Sequence, residues 1–87
     1  MSEKGIYTGQ VNENGQKHGL GRWVWNGGQV TYEGMFYEDK YHGYGRYIDV
    51  YSFLYQGRFE EGLRQGHGKG TDAFGISKEG EWVRNIY

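Results

Sequence analysis

The chain has 87 residues, ten basic and eleven acidic side chains, a formal net charge of -1 and no cysteine. That length makes one small domain. The missing Cys excludes a disulfide framework or a thiolate metal cluster, and the balanced charge argues against a nucleic-acid partner, which calls for a basic excess. No apolar run approaches the roughly 18 residues of a membrane span, and no charged stretch followed by an apolar one opens the chain, so a soluble, cytoplasmic domain is expected. Three Trp, nine Tyr and four Phe argue against disorder. The 17 Gly recur periodically, unlike those of a flexible linker.

The first unit, residues 7–31, opens with Tyr7-Thr8-Gly9-Gln10-Val11. It turns at Asn12-Glu13-Asn14-Gly15, returns through His18-Gly19-Leu20-Gly21-Arg22 and turns again at Asn26-Gly27-Gly28. The second, 32–54, reads Tyr32-Glu33-Gly34-Met35-Phe36, a loop at Glu38-Asp39-Lys40-Tyr41, then His42-Gly43-Tyr44-Gly45-Arg46 and a connection at Asp49-Val50-Tyr51-Ser52 with a weaker turn signal. The third, 55–77, reads Tyr55-Gln56-Gly57-Arg58-Phe59, a loop at Glu60-Glu61-Gly62, then Gln65-Gly66-His67-Gly68-Lys69 and a turn at Asp72-Ala73-Phe74-Gly75. A fourth, residues 78–87, begins Lys78-Glu79-Gly80-Glu81-Trp82 and stops after one strand, expected over 78–84. Gly34, Gly57 and Gly80 are 23 residues apart. A fixed period of that size marks repeats that each need their neighbours. The same step puts Gln65, rather than His67, at the position of His42. Period-two patterning, turn residues between the halves and no capped helix predict an all-β fold, an antiparallel meander of about seven strands built from stacked hairpins.

One register follows from this alternation. It pairs Glu33 with Arg46, Tyr32 with Tyr47, Gly34 with Gly45, Met35 with Tyr44, Phe36 with Gly43 and Tyr37 with His42. In the other units it pairs Thr8 with Arg22, Val11 with Gly19, Gln56 with Lys69, Gly57 with Gly68 and Phe59 with Gly66. Its physical content is a large ring lying across a bare glycine, which covers the gap that glycine leaves in a strand.

The Tyr-x-Gly-x-aromatic start, the His-Gly-x-Gly middle and the 23-residue period together resemble the MORN (membrane occupation and recognition nexus) repeat over residues 7 to 84, about three and a half repeats. Departures are the two extra residues of the first unit, Gln65 for His, Lys78 for Tyr and the half fourth unit. The resemblance implies an elongated, twisted sheet of hairpins and a scaffold that self-associates near membranes or cytoskeletal structures. It also implies phospholipid-headgroup binding, or a role as the accessory domain of a larger enzyme.

The residues themselves favour structure over catalysis. His18, His42 and His67 invite a zinc reading. However, Gln65 replaces His within the ladder, and Gln is a poor zinc ligand but a good hydrogen-bonding group. The Gly-rich strings lack the helix that a phosphate loop needs. Glu60, Glu61, Glu79 and Glu81 flank no cleft of the kind that paired carboxylates require. No enzyme activity, cofactor or metal is expected.

Two surfaces stand out. Tyr7, Trp23, Tyr32, Phe36, Tyr47, Tyr55, Phe59 and Trp82 share one face, either as the core or as an interface for a protein partner. Val24, Trp25, Val30, Ile48, Val50, Phe53, Leu54, Phe74 and Ile76 are the residues available to cover it. Arg22, Arg46 and Lys69 hold one repeat position and form a basic row suited to an anionic lipid phosphate or to cross-strand pairing. The expected function is a protein-interaction scaffold that self-associates as a homodimer through an open strand edge. The alternative is a peripheral membrane module.

Overall fold

The computed structural model describes residues 5–25, 27 and 29–86. Seven strands form one antiparallel sheet: β1 (Gly5–Val11), β2 (Lys17–Trp25), β3 (Val30–Tyr37), β4 (Lys40–Ile48), β5 (Leu54–Glu60), β6 (Leu63–Thr71) and β7 (Ser77–Trp82). They lie side by side in chain order. The expected all-β meander is therefore the observed fold, and no α-helix occurs among the described residues. Of the expected turn Asn26-Gly27-Gly28, Asn26 and Gly28 lie outside the described residues.

The predicted register holds at one end of each hairpin. Thr8 pairs with Arg22, Tyr32 with Tyr47, Glu33 with Arg46, Gly34 with Gly45, Gln56 with Lys69 and Gly57 with Gly68. Toward the tips it moves by two residues. Phe36 faces Tyr41 rather than Gly43, Tyr37 faces Lys40 rather than His42, Phe59 faces Arg64 rather than Gly66, and Val11 faces Lys17 rather than Gly19. In the second and third hairpins the reason is turn geometry; the first makes the same shift with a five-residue loop, 12–16, at its tip. Glu38-Asp39 and Glu61-Gly62 are two-residue turns in which both residues have positive φ (47° and 73°, 52° and 83°), the conformation whose twist matches a β-hairpin. A tip this tight leaves surplus residues on the returning strand. Three of them, such as His42, Gly43 and Tyr44, bulge opposite the single residue Met35, with Gly43 at φ 91°. The Met35–Tyr44 pair expected from the sequence is lost inside this bulge.

The predicted ring-over-glycine contact exists, but with the neighbouring unit. Phe36 pairs with Gly19, Phe59 with Gly43 and Trp82 with Gly66, each across the boundary between units. A second interlock runs within the hairpin. Glycines occupy one level on all seven strands, from Gly9 through Gly21, Gly34, Gly45, Gly57 and Gly68 to Gly80. The tyrosine that starts a unit lies over this row. A Cβ on Gly21, Gly45 or Gly68 would collide with the ring of Tyr7, Tyr32 or Tyr55. Each phenol reaches past the glycine and donates to the carbonyl of the residue facing the bulge, Gln10, Met35 (2.7 Å) or Arg58 (2.8 Å). That carbonyl lies where the bulge breaks the strand ladder, so the phenol supplies a donor in its place.

Three further connections share one design. In Asn12–Gln16, Asp49–Phe53 and Asp72–Ile76, the side-chain oxygen of the first residue accepts from the third and fifth backbone N–H groups at 2.9–3.1 Å. The fourth residue has positive φ: Gly15 78°, Ser52 65° and Gly75 86°. The Asp49 connection, weak as a sequence signal, is thus equivalent to the other two. The fourth unit also goes further than expected. After β7, Arg84-Asn85 (φ 48° and 75°) repeats the tight turn, and Val83 bridges back to Ile86.

Candidate interaction surfaces

Within the aromatic face, Tyr32, Phe36, Tyr55, Phe59 and Trp82 are buried, Tyr32 and Tyr55 completely. Their rings alternate edge to face: Tyr7 on Phe36 (5.2 Å), Phe36 on Tyr32 (5.0 Å), Tyr32 on Phe59 (5.2 Å), Phe59 on Tyr55 (5.0 Å) and Tyr55 on Trp82 (5.3 Å). This is the arrangement that ring quadrupoles favour, and it links every unit to the next. Of the eight residues singled out from sequence, Tyr7, Trp23 and Tyr47 are half-buried and rest against this core. Among the residues available as cover, Val30 is buried and Phe53 packs on Trp82 at 6.4 Å, while Val50, Phe74 and Ile76 are exposed.

One repeat position escaped the sequence reading. Lys17, Tyr41 and Arg64 each precede the His/Gln position and lie over rings of the core or of its border. Lys17 sits 4.4 Å from the Trp23 centroid, Tyr41 stacks on Tyr32 at 3.9 Å and 10°, and Arg64 lies 5.0 Å from Phe53 and 5.2 Å from Trp82. The detectable signal was a cation or ring at a fixed step, but Lys, Tyr and Arg share no letter class in a period search. Burial pushes the Tyr41 phenol up to about 12, with Tyr47 adding to the rise. Tyr32 is raised by burial and then by Tyr41. Tyr47 is raised by burial and Asp49, against the opposing pull of Arg64.

Along this side of the sheet run three adjoining hollows. The first, about 290 Å³, lies among Lys17, Trp23, Asp39, Lys40 and Tyr41. The second, also about 290 Å³, lies among Trp23, Trp25, Tyr41, Tyr47 and Arg64. The third, about 450 Å³, is lined by Phe53, Arg64, Asp72, Lys78 and Trp82. Each shares residues with the next, and together they form a shallow trough.

The opposite side carries the basic row. Arg22, Arg46 and Lys69 alternate with Glu33, Gln56 and Glu79 in a single cross-strand line. Arg22 donates from Nε to Glu33 at 3.0 Å. No carboxylate among the described residues lies within ion-pair distance of Arg46 or Lys69. A hollow of about 460 Å³ lies between them, with Tyr44, Gln56 and His67 on its walls and the carboxylates Glu33 and Glu79 at its two ends.

The histidines divide as the 23-residue step requires. His18 Nδ1 accepts from Glu38 N (3.3 Å), His42 Nδ1 from Glu61 N (3.5 Å) and Gln65 Oε1 from Arg84 N (2.9 Å). All three therefore receive the first residue of the next unit's tight turn. His67 points to the other face, with Nε2 3.3 Å from Glu79 and Nδ1 3.9 Å from Glu81. No cluster of three or more His, Asp or Glu suited to a metal ion occurs among the described residues.

Comparison with known proteins supports the repeat reading directly. The curated proteins contain no match to the chain. The MORN repeat family matches at residues 7–30, 32–50 and 55–69, more than half of the chain and in the frame of the three full hairpins. MORN repeats are known in scaffold and membrane-binding proteins and are generally non-catalytic. With its period, its interlocked glycines and tyrosines and these three matches, the chain belongs to the MORN repeat family.

Proposed function

We propose that this domain is a non-enzymatic scaffold that binds a protein partner on its aromatic side and self-associates through an open strand edge. The observation that carries this reading is the trough: Trp23, Tyr41 and Tyr47 are packed from below by the core and open from above. Large amphipathic rings of this kind dominate interface energetics. Strand β1 lies at the end of the sheet order and pairs with one described strand, β2, and an edge strand offers backbone donors and acceptors to a second chain. A cytoplasmic scaffold, held near a membrane or the cytoskeleton, fits these surfaces. Sedimentation velocity up to high micromolar concentration tests self-association, with a dimer expected; a monomer throughout overturns that part. Capture from the native source by wild type and by Tyr47→Ser tests the aromatic side. A specific partner should be lost with the variant, and equal capture by both places recognition elsewhere.

A second reading, a peripheral module for anionic phospholipid, is favoured by one observation. Arg46 and Lys69 flank a hollow and have no carboxylate at ion-pair distance among the described residues, although Glu33 and Glu79 also line it, whereas Arg22 is held by Glu33. Surface attraction of about 1 kcal/mol per basic residue makes two cations a weak anchor alone. Liposome flotation that is unchanged in the Arg46→Glu, Lys69→Glu double variant rules this reading out.

A further inference from the structure

We infer that the aromatic trough receives an extended acidic segment of a partner protein, with Arg64 as the carboxylate-binding residue. The inference rests on the scaffold reading and deepens it. Four cations line the three hollows, Lys17, Lys40, Arg64 and Lys78, against two carboxylates, Asp39 and Asp72; Glu61 at the rim pairs with Lys40 Nζ at 3.1 Å, which leaves Arg64 at the centre as the guanidinium with no carboxylate at ion-pair distance among the described residues. The local excess stands against a net charge of -1 for the whole chain.

Both trough carboxylates are already engaged. Asp39 Oδ1 accepts the Lys17 backbone N–H at 2.7 Å and lies 3.7 Å from Lys17 Nζ. Asp72 Oδ1 accepts two amides of its own loop. Arg64 lies where the second and third hollows meet. Its side chain donates to one acceptor, the Asn85 carbonyl, at 3.0 Å, and its buried Nε has none. A guanidinium has five N–H donors in a planar fork that matches a carboxylate. Its position over the Phe53 and Trp82 rings, with the bond to the Asn85 carbonyl, restrains the side chain and lowers the entropy lost when an anion binds. On either side, Trp25 with Tyr47 and Phe53 with Trp82 offer apolar walls. An extended segment alternates its side chains between two directions. Acidic and apolar residues in alternation therefore meet both features of the trough.

All three tryptophans, Trp23, Trp25 and Trp82, line the trough, so intrinsic fluorescence reports its occupancy. The probe is a capped octapeptide of alternating Glu and Leu, titrated into the full chain beside its Lys-Leu counterpart. The acidic peptide should give a saturable change in tryptophan emission and the basic one none. Arg64→Met keeps the unbranched stem over the rings and should weaken binding about tenfold or more, the loss expected for a charged hydrogen-bonded contact. Arg58→Gln, on the opposite face, should leave it unchanged. Equal binding of the two peptides by the wild-type chain, a comparison that needs no variant to fold, overturns the inference. So does full affinity in Arg64→Met, binding of neither peptide, or a fluorescence response confined to phosphatidylserine-containing vesicles. Binding of neither peptide leaves the scaffold reading to its own capture and sedimentation tests.

Discussion

His18, His42 and Gln65 share one repeat position, and what unites them is an acceptor aimed at the next unit's turn. Imidazole and carboxamide reach the same backbone N–H by different chemistry, so the exchange conserves the hydrogen bond and abolishes any metal ladder. His42→Gln is therefore expected to shift stability by less than about 0.5 kcal/mol, while His42→Leu, which leaves the Glu61 amide without its acceptor, costs about 1 kcal/mol. Urea denaturation of the two variants checks this, and equal losses would refute the acceptor role. The glycines under the tyrosine rings act through space: at Gly21, Gly45 and Gly68 the ring occupies the volume a methyl group would need. This pairing was only half legible. The sequence displayed both the glycines and the rings, but which ring covers which glycine depends on a bulge that has no residue signature beyond the glycine itself.

The second and third hairpins are set by their tips. Tight turns fix the pairing of the last residues, the shared glycine level fixes the pairing further in, and the bulge absorbs the difference between them. Period-two alternation reads strand existence and face well, which is why the near-glycine pairs agree with expectation. It carries no count of bulged residues, and Glu38-Asp39 lacks the Asn-Gly signal that would have announced a two-residue turn. The Asx loops show the converse. Asp49 repeats the role of Asn12 and Asp72, yet Ser52 stands where the others have glycine, and this hid the equivalence. Ser52 at φ 65° is in a conformation that costs an L-residue about 1 kcal/mol. Ser52→Gly should thus raise stability by up to about 1 kcal/mol, less the added entropy of the unfolded chain. A thermal melt reads it, and a lowered midpoint would contradict the loop equivalence.

Across the whole molecule, the alternating rings make one continuous core in a sheet of 39 × 29 × 17 Å. Tyrosine dominates that core, so its ionisation is coupled to folding. Tyr7, Tyr32, Tyr41, Tyr47 and Tyr55 are all raised, each chiefly by burial. A phenol whose pKa is raised in the folded state keeps its proton there while the unfolded chain loses one. The stabilisation from Tyr41 is thus complete below its ordinary value of 10.0 and is lost as pH rises toward about 12. Urea midpoints should fall steeply across that window. Tyr41→Phe, which keeps the stack on Tyr32, should fall less steeply, and parallel curves would show that Tyr41 ionisation does not contribute. The strictly sequential strand order has a consequence in time. Every strand pairs only with its neighbours along the chain, so no pairing waits for a distant segment to arrive, unlike the crossed connections of a β-sandwich. A hairpin leaving the ribosome already has beside it the unit it packs against, and its unpaired edge is covered as soon as the next strand emerges.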